Sequence, residues 1–163
     1  MKNLLIAAAF LITSLAMGQA FTGKGDQKFQ VGLNLQDNAT GIQSTYDFGV
    51  GENISFGVAA IYALAVDDAL DADFGQRADL RLRFNANIGS VLNVDEMFDF
   101  YPGLSFGTKN FGGHLGARYF FSDGFGLYTE AQVPFAKYDS ADLTAEEELN
   151  NQFNFNFGMS FNF

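Results

Sequence analysis

The chain has 163 residues, a formal net charge of -10 at pH 7, and neither cysteine nor tryptophan. Without cysteine it has no disulfide framework and no cysteine on which a lipid anchor could be built. An acidic chain is a poor partner for nucleic acid, because phosphate binding needs clustered lysine and arginine. Glycine occurs 18 times, aromatic residues make up 16% and proline occurs twice. This composition favours many short strands joined by turns.

The first 20 residues, MKNLLIAAAFLITSLAMGQA, have the layout of a secretory signal peptide. Lys2 precedes an apolar stretch, and small residues stand at Gly18 and Ala20. A membrane-anchoring helix is the alternative, but the apolar stretch is short and lacks a charged flank on its far side. We therefore expect cleavage before Phe21, with residues 1–20 as the signal peptide and residues 21–163 as one domain.

Apolar and polar residues alternate with period two along most of the remaining chain, which indicates strands with one apolar face. The clearest case is RADLRLRFNANI, residues 77–88. Each predicted strand has about the nine to eleven residues that a tilted strand needs to cross a bilayer. The pattern predicts eight strands, at about 28–36, 40–50, 54–64, 77–88, 97–108, 111–121, 125–135 and 151–163.

The connections between these strands are unequal in length. Long acidic joins at 65–76 and 136–150 contrast with short turns at 51–53 and 122–124. Transmembrane barrels show this asymmetry, with short turns on one side and longer loops on the other. The join at 89–96, GSVLNVDE, is compatible with a turn, a short helix or a strand extension.

The two short turns also predict the strand register. Pairing Val50 with Ile54, and Phe121 with Phe125, keeps the apolar phases of neighbouring strands aligned. Three-residue loops of this kind place their last residue in the left-handed region. We therefore expect Asn53 and Gly124 to adopt that conformation, which glycine accepts at no steric cost.

Side-chain volume predicts which phase faces outward. Most phenylalanines fall in the apolar phase and many glycines in the polar phase. The interior of an eight-stranded barrel is only just wide enough for side chains, so it cannot hold that many phenylalanines. A soluble lipocalin-like barrel, with its apolar phase inside, is therefore disfavoured. Ile61 and Phe120 break the pattern and are expected as interior fillers, while tyrosines at 46, 62 and 119 are candidates for an interfacial girdle.

The arginines agree with this orientation. All four arginines lie in the polar phase of a predicted strand, and an arginine facing lipid at the bilayer midplane costs roughly 2–4 kcal/mol. The four are Arg77, Arg81, Arg83 and Arg118. The predicted fold is therefore an all-β, eight-stranded antiparallel transmembrane β-barrel.

The polar phase predicts a charged interior. Buried charges are costly unless they are paired, so an ion-pair network that fills the lumen is the simpler interpretation. A gate or ion path is the alternative. With the predicted register, Arg118 lies opposite Tyr128 and within reach of Glu130. The candidate interior network comprises Asp47, Asp79, Arg81, Arg83, Asp99, His114, Arg118 and Glu130.

The sequence carries no recognisable catalytic motif, and we predict no catalytic residue and no cofactor. His114 is the only histidine, and a nucleophilic site would need a nucleophile and an orienting acid beside it. Ser105 and Glu130 are conceivable mates but follow no motif. His114 also falls in the inward phase, away from lipid.

The long joins are rich in acids, which makes them weak candidates for divalent-ion binding. Neither join matches the calcium-loop pattern, so hydrated surface loops are the simpler interpretation. Asp139 and Asp142 precede the second acidic run, in which Thr144 and Glu147 fit a capping box and allow a short helix. The ion candidates are Asp67, Asp68, Asp71, Asp73, Glu146, Glu147 and Glu148.

The stretch GARYFFSDGFGLYTEAQVP, residues 116–134, resembles the sixth and seventh strands of small outer-membrane β-barrel proteins common in the Bacteroidota. Those proteins are similar in architecture to the OmpA and OmpX membrane domains. The terminal FNF resembles the carboxy-terminal signature that the outer-membrane assembly machinery recognises, which makes Phe161 and Phe163 a candidate assembly signal. The resemblance implies an integral outer-membrane location, with outer-membrane lipid, lipopolysaccharide and the assembly machinery as partners.

The class hosts several functions, so the resemblance is weak evidence for any one of them. We expect a non-enzymatic barrel with a structural or surface-interaction role, a filled interior and acidic external loops. A narrow porin-like channel for small or apolar solutes is one alternative. A lipid-modifying enzyme is another, but it would need reactive groups at the outer rim, where the sequence offers none.

Overall fold

The computed structural model describes residues 19–67, 69–139 and 143–163. In these residues eight antiparallel strands close into a barrel, each paired with the next and the last paired with the first. The strands are β1 (Gln27–Gln36), β2 (Ala39–Gly49), β3 (Ile54–Val66), β4 (Ala78–Ala86), β5 (Phe98–Gly107), β6 (Asn110–Ser122), β7 (Phe125–Lys137) and β8 (Asn154–Asn162). The described part of the chain also forms two short helices, α1 (Phe74–Arg77) and α2 (Gly89–Leu92). Neither these nor any other helix of the described residues is long and apolar enough to cross a membrane.

The predicted fold class is confirmed, and so is the register in the body of the strands. Phe48 lies opposite Phe56 in the β2–β3 pair, and the amide of Val50 donates to the carbonyl of Ile54 at 2.9 Å. Arg118 lies opposite Tyr128 in the β6–β7 pair, as the alternation predicted. Period-two alternation therefore located the strands, while their exact ends depend on local contacts.

The tips of the two short turns differ from the prediction. Ser122 rather than Phe121 pairs with Phe125, so the register shifts by one residue beyond Phe120. Positive φ angles in the described chain fall at three asparagines and two glycines: Asn38, Asn93, Asn150, Gly23 and Gly25. The expectation of left-handed Asn53 and Gly124 was therefore wrong.

The loop joins also hold helical turns that alternation does not reveal. Asp73 and Gln76 form a capping box, with each side chain accepting a hydrogen bond from the other residue's backbone, and this starts α1. Arg77 therefore lies in α1 and not in the polar phase of β4, and its Nε donates to the carbonyl of Ala72 at 3.0 Å. The 89–96 join contains α2, which ends at left-handed Asn93.

Large apolar side chains point outward and charged side chains inward. In β4, Leu80 and Leu82 are each 64% exposed, whereas Arg81 and Arg83 are 5% and 2% exposed. The outward residues of β3 run from one end of the strand to the other and span roughly 25 Å along a tilted strand, the height of the apolar band in membrane barrels. Ile61 and Phe120 are buried, which confirms the two interior fillers.

Candidate functional site

The centre of the barrel is crossed by a tyrosine. Tyr101 on β5 and Gln30 on β1 project from opposite sides of the ring of strands, and the Tyr101 hydroxyl lies 3.3 Å from Gln30 Nε2. Tyr101 has no exposed surface. Its ring packs over Gly116, where any added Cβ would collide with it. This glycine therefore makes room for the side chain that spans the lumen.

A second contact crosses the lumen beside the tyrosine. Arg83 on β4 donates to both carboxylate oxygens of Glu130 on β7, at 2.6 and 3.3 Å. Its Nε lies 3.2 Å from Asp47 Oδ1 on β2, so one guanidinium is held between two carboxylates. We call the five residues Gln30, Asp47, Arg83, Tyr101 and Glu130 the interior plug.

Glutamines extend the plug toward the end that carries the long joins, which we call the loop end. Glu130 Oε1 accepts from Nε2 of Gln43 at 3.1 Å and from Nε2 of Gln132 at 2.5 Å. The other amide atom of Gln132 accepts from Arg81 at 2.5 Å. These amides add hydrogen bonds to Glu130 and Arg81, whereas both carboxylate oxygens of Asp47 and the Nε of Arg83 are buried without a hydrogen-bond partner.

At the loop end, Arg81 links a strand acid to a loop. Its Nε donates to Asp79 Oδ2 at 2.6 Å, and its Nη2 donates to the backbone carbonyl of Asn150 at 2.7 Å. Asp79 also accepts from the backbone and hydroxyl of Thr108, at 3.1 and 2.7 Å. The last long join is therefore tied into the barrel through β4.

Residues 149–151, which we call the mouth segment, fold inward over the loop end. Leu149 and Asn150 have no exposed surface. Asn150 exchanges hydrogen bonds with Gln36 on β1 at 2.7 and 2.9 Å, and its Nδ2 donates to the Arg77 carbonyl at 2.9 Å. Lys109 Nζ donates to the Leu149 carbonyl at 3.0 Å, and burial lowers the pKa of this lysine.

Replacing Asn150 by alanine is expected to lower the free energy of unfolding by about 1–3 kcal/mol, because the Gln36 amide and the Arg77 carbonyl lose buried partners. Asn38→Ala is the matched control: Asn38 has nearly the same φ, 60° against 62°, but lies in an exposed turn. Hydrogen exchange should accelerate at residues 143–153 only in Asn150→Ala. Equal behaviour of the two variants would mean that the mouth segment contributes backbone strain alone.

The opposite end, which carries the short turns, has its own cluster. We call it the turn end. Arg118 Nη2 donates to Asp99 at 2.7 Å and to Asn87 at 2.8 Å, and its guanidinium lies 4.8 Å from the centre of the Tyr101 ring. Arg118 therefore contacts Asp99 and Asn87, and not Glu130, which the predicted register placed only within its reach. Asp99 lies directly opposite Arg118 on β5 and takes the contact.

Lys28 completes the turn-end cluster. It pairs with Asp26, donates to Asn162 at 2.8 Å and lies over the Phe120 ring. Alternation could have placed Lys28, Gln30, Gln43 and Gln132 inside, because they share the phase of their buried strand neighbours. Asn150 lies in a loop and has no such phase.

His114 lies in the interior and hydrogen-bonds Asn85, with 2.7 Å between His114 Nε2 and Asn85 Oδ1. Its suggested mates are not arranged around it as a catalytic group. Glu130 is engaged by Arg83, and Ser105 Oγ is buried without a hydrogen-bond partner. The Nε2 of His114 is therefore engaged by an amide of the interior.

Charge is nearly balanced in the interior. In the part of the chain that the structure describes, five buried carboxylates face four buried lysine or arginine side chains. The excess acid of the described residues therefore lies outside the lumen. The members are Asp26, Asp47, Asp79, Asp99 and Glu130, with Lys28, Arg81, Arg83 and Arg118.

The acidic joins are held by local contacts. Asp67 accepts from the Ala69 amide at 2.9 Å and Asp73 caps α1, while Asp71 is exposed. Asp68 and Asp142 lie outside the described residues. No group of three or more potential metal ligands comes together among residues 19–67, 69–139 and 143–163.

The second acidic run behaves in the same way. Glu147 accepts from the Thr144 amide at 2.9 Å, which is half of the expected capping box, and the segment forms turns rather than a helix. A hydrogen bond with Thr144 lowers the pKa of Glu146. Glu148 pairs with Lys137 at 2.6 Å. Divalent-ion binding by these loops stays a prediction.

The terminal phenylalanines lie on the outer wall. The Phe161 ring is 6.3 Å from that of Phe29 and 5.8 Å from that of Phe125, so it bridges β1 and β7. Phe163 is 76% exposed. Their role as an assembly signal stays a prediction.

A closed barrel with an apolar wall and a paired, polar interior has the fold of a transmembrane β-barrel. Its similarity to a designed transmembrane barrel agrees with this fold. A protein from "De novo design of transmembrane beta-barrels" matches with a TM-score of 0.59 at 13% identity, over 87% of this chain and 98% of that one. The solution NMR structure of Outer Membrane Protein G from Pseudomonas aeruginosa matches with a TM-score of 0.45 at 14% identity, over 88% and 99%.

The chain belongs to DUF6646, a family of unknown function, whose model matches residues 11–163. Comparison with curated proteins gives no match.

Proposed function

We propose that this chain is a non-enzymatic, integral barrel of a bacterial outer membrane with a structural or surface-interaction role. It is exported through a cleaved signal peptide and is of the small type common in the Bacteroidota and similar to OmpA and OmpX. The observation that carries the proposal is the interior plug. Tyr101 and Arg83 both cross the lumen to partners on distant strands. Side chains that cross the lumen occupy the space through which a solute would have to pass.

The outer wall and the joins supply the surfaces on which such a barrel acts. The apolar wall takes outer-membrane lipid, and the acidic joins at the loop end face the cell exterior with lipopolysaccharide around them. The assembly machinery inserts the barrel by way of Phe161 and Phe163. The engaged positions of His114 and Glu130 support a role without catalysis.

The mature protein refolded into a planar lipid bilayer is expected to be electrically silent, because the plug blocks the lumen. A mobility shift between boiled and unboiled samples verifies folding. The double variant Arg83→Ala with Tyr101→Ala removes both crossing side chains and is expected to conduct, which shows that the assay detects an open lumen. Reproducible conductance steps in the unaltered protein, of a size that changes in Arg81→Ala or Arg118→Ala, would contradict the proposal and indicate a channel.

A further inference from the structure

A cavity of about 370 Å³ lies at the turn end of the barrel. One side is formed by the join between β4 and β5 and by the start of β5, and the other by the segment that leads into β1. Its acidic lining consists of Asp95, Glu96 and Asp99, and the incoming segment contributes Gln19 and Phe21. The cavity is therefore acidic on one wall and faces the predicted cleavage point on the other.

The residue before that cleavage point is held in place. Ala20 is 1% exposed, and its amide donates to the backbone carbonyl of Glu96 at 2.7 Å. Phe21 is also buried. Removal of residues 1–20 would take this donor away from the Glu96 carbonyl, which belongs to an exposed residue of the β4–β5 join.

Cleavage also creates the group that the acidic wall lacks. Hydrolysis of the Ala20–Phe21 bond adds water across the amide: the Ala20 carbonyl carbon becomes a carboxylate and the Phe21 nitrogen becomes an amine that takes up a proton. This new cation starts one residue, about 3.8 Å along the chain, from the position of the Ala20 amide. It can therefore replace the lost donor.

Nearby cations of the described chain are committed elsewhere. Arg118 is bound to Asp99 and Lys28 to Asp26. A further cation in the cavity would consequently pair with the carboxylates of Asp95 and Glu96. One oxygen of Asp95 already accepts a hydrogen bond from the Met97 amide at 2.8 Å.

We propose that this cavity is an ammonium-binding site whose ligand is the chain's own mature amino terminus. The Phe21 ammonium donates to the Glu96 carbonyl and lies against the Asp95 and Glu96 carboxylates, which fastens the start of the chain to the β4–β5 join. This inference rests on the proposed signal-peptide cleavage.

The test uses protein exported by a bacterial host and purified folded from its membrane. Mass spectrometry first identifies the amino-terminal residue. Reductive methylation with formaldehyde at neutral pH then compares labelling of the Phe21 amine with that of the exposed side chain of Lys24, in folded and in urea-unfolded protein. We expect the Phe21 amine to react about tenfold more slowly, relative to Lys24, in the folded state.

Glu96→Gln and Asp95→Asn should each reduce this protection, whereas Glu52→Gln, an exposed acid at the same end outside the cavity, should leave it unchanged. A chain that begins at Phe21 with an unprotected amine would overturn the site and leave the proposed membrane role intact. A chain that retains Ala20 would overturn it as well, because the Ala20 amide would still occupy the Glu96 carbonyl. The conductance result is independent of either outcome.

Discussion

Arg83→Met is expected to lower the free energy of unfolding by about 3–5 kcal/mol, the largest effect of any single substitution proposed for this protein. Methionine keeps most of the side-chain volume, so the loss comes mainly from charge. Without the guanidinium, Asp47 and Glu130 would face each other's charge in the buried lumen with no cation between them, and an unpaired buried charge costs several kcal/mol. The chain has no tryptophan, so urea unfolding in phospholipid vesicles is best followed by circular dichroism and gel mobility.

A second substitution separates charge from packing. Adding Glu130→Gln to Arg83→Met removes one of the two uncompensated carboxylates and keeps the shape of the side chain. We expect the double variant to recover about 1 kcal/mol or more of the lost stability. If the double variant were less stable than Arg83→Met alone, the contribution of Arg83 would be packing and not pairing with Glu130.

Leu82→Arg is expected to cost about 2–4 kcal/mol when unfolding is measured in vesicles, because the new charge faces the middle of the bilayer. Leu82 is at the centre of β4, between Val58 on β3 and Phe106 on β5, and it points outward. The neighbouring Arg81 and Arg83 carry the same charge as the new arginine. They lower the free energy of unfolding far less than an arginine at position 82 would, because they point inward and pair with acids.

Leu64→Arg provides the depth control for that experiment. Leu64 is also outward-facing and exposed, but it lies near the loop end of β3. Arginine there should cost about 0–1 kcal/mol, since the penalty falls toward the interface. Equal costs at positions 64 and 82 would mean that the wall of the barrel does not lie across a bilayer.

In the interior plug, charge pairing is expected to contribute more to the free energy of unfolding than apolar packing. The lumen holds few large apolar side chains; its largest fully buried residues include Arg118, Tyr101 and Lys28. Such an interior is stable only when each charge has its partner. The apolar side chains that would form the core of a soluble barrel instead lie on the outer surface.

Alternation located the strands and the direction of each face, and the two short turns predicted the register in the body of the β2–β3 and β6–β7 pairs. Alternation excludes a slip of one residue, which would turn Leu80 and Leu82 inward and Arg81 and Arg83 outward, and the short turns select among the registers that remain. It also determined that the polar phase would be buried and paired, because lipid excludes the alternative. These are properties of neighbouring residues, and a local pattern can report them.

Which charges meet depends on the closed barrel and cannot be predicted from the alternation. Arg118 had acids in reach on both neighbouring strands, and the closure of the barrel gave it Asp99 while Glu130 went to Arg83, three strands away. Likewise, nothing near Asn150 in sequence predicts that the mouth segment folds onto β1 and β4. Contacts across a lumen join residues far apart in the chain, and their geometry depends on strand number, tilt and stagger together. Alternation carries none of that information.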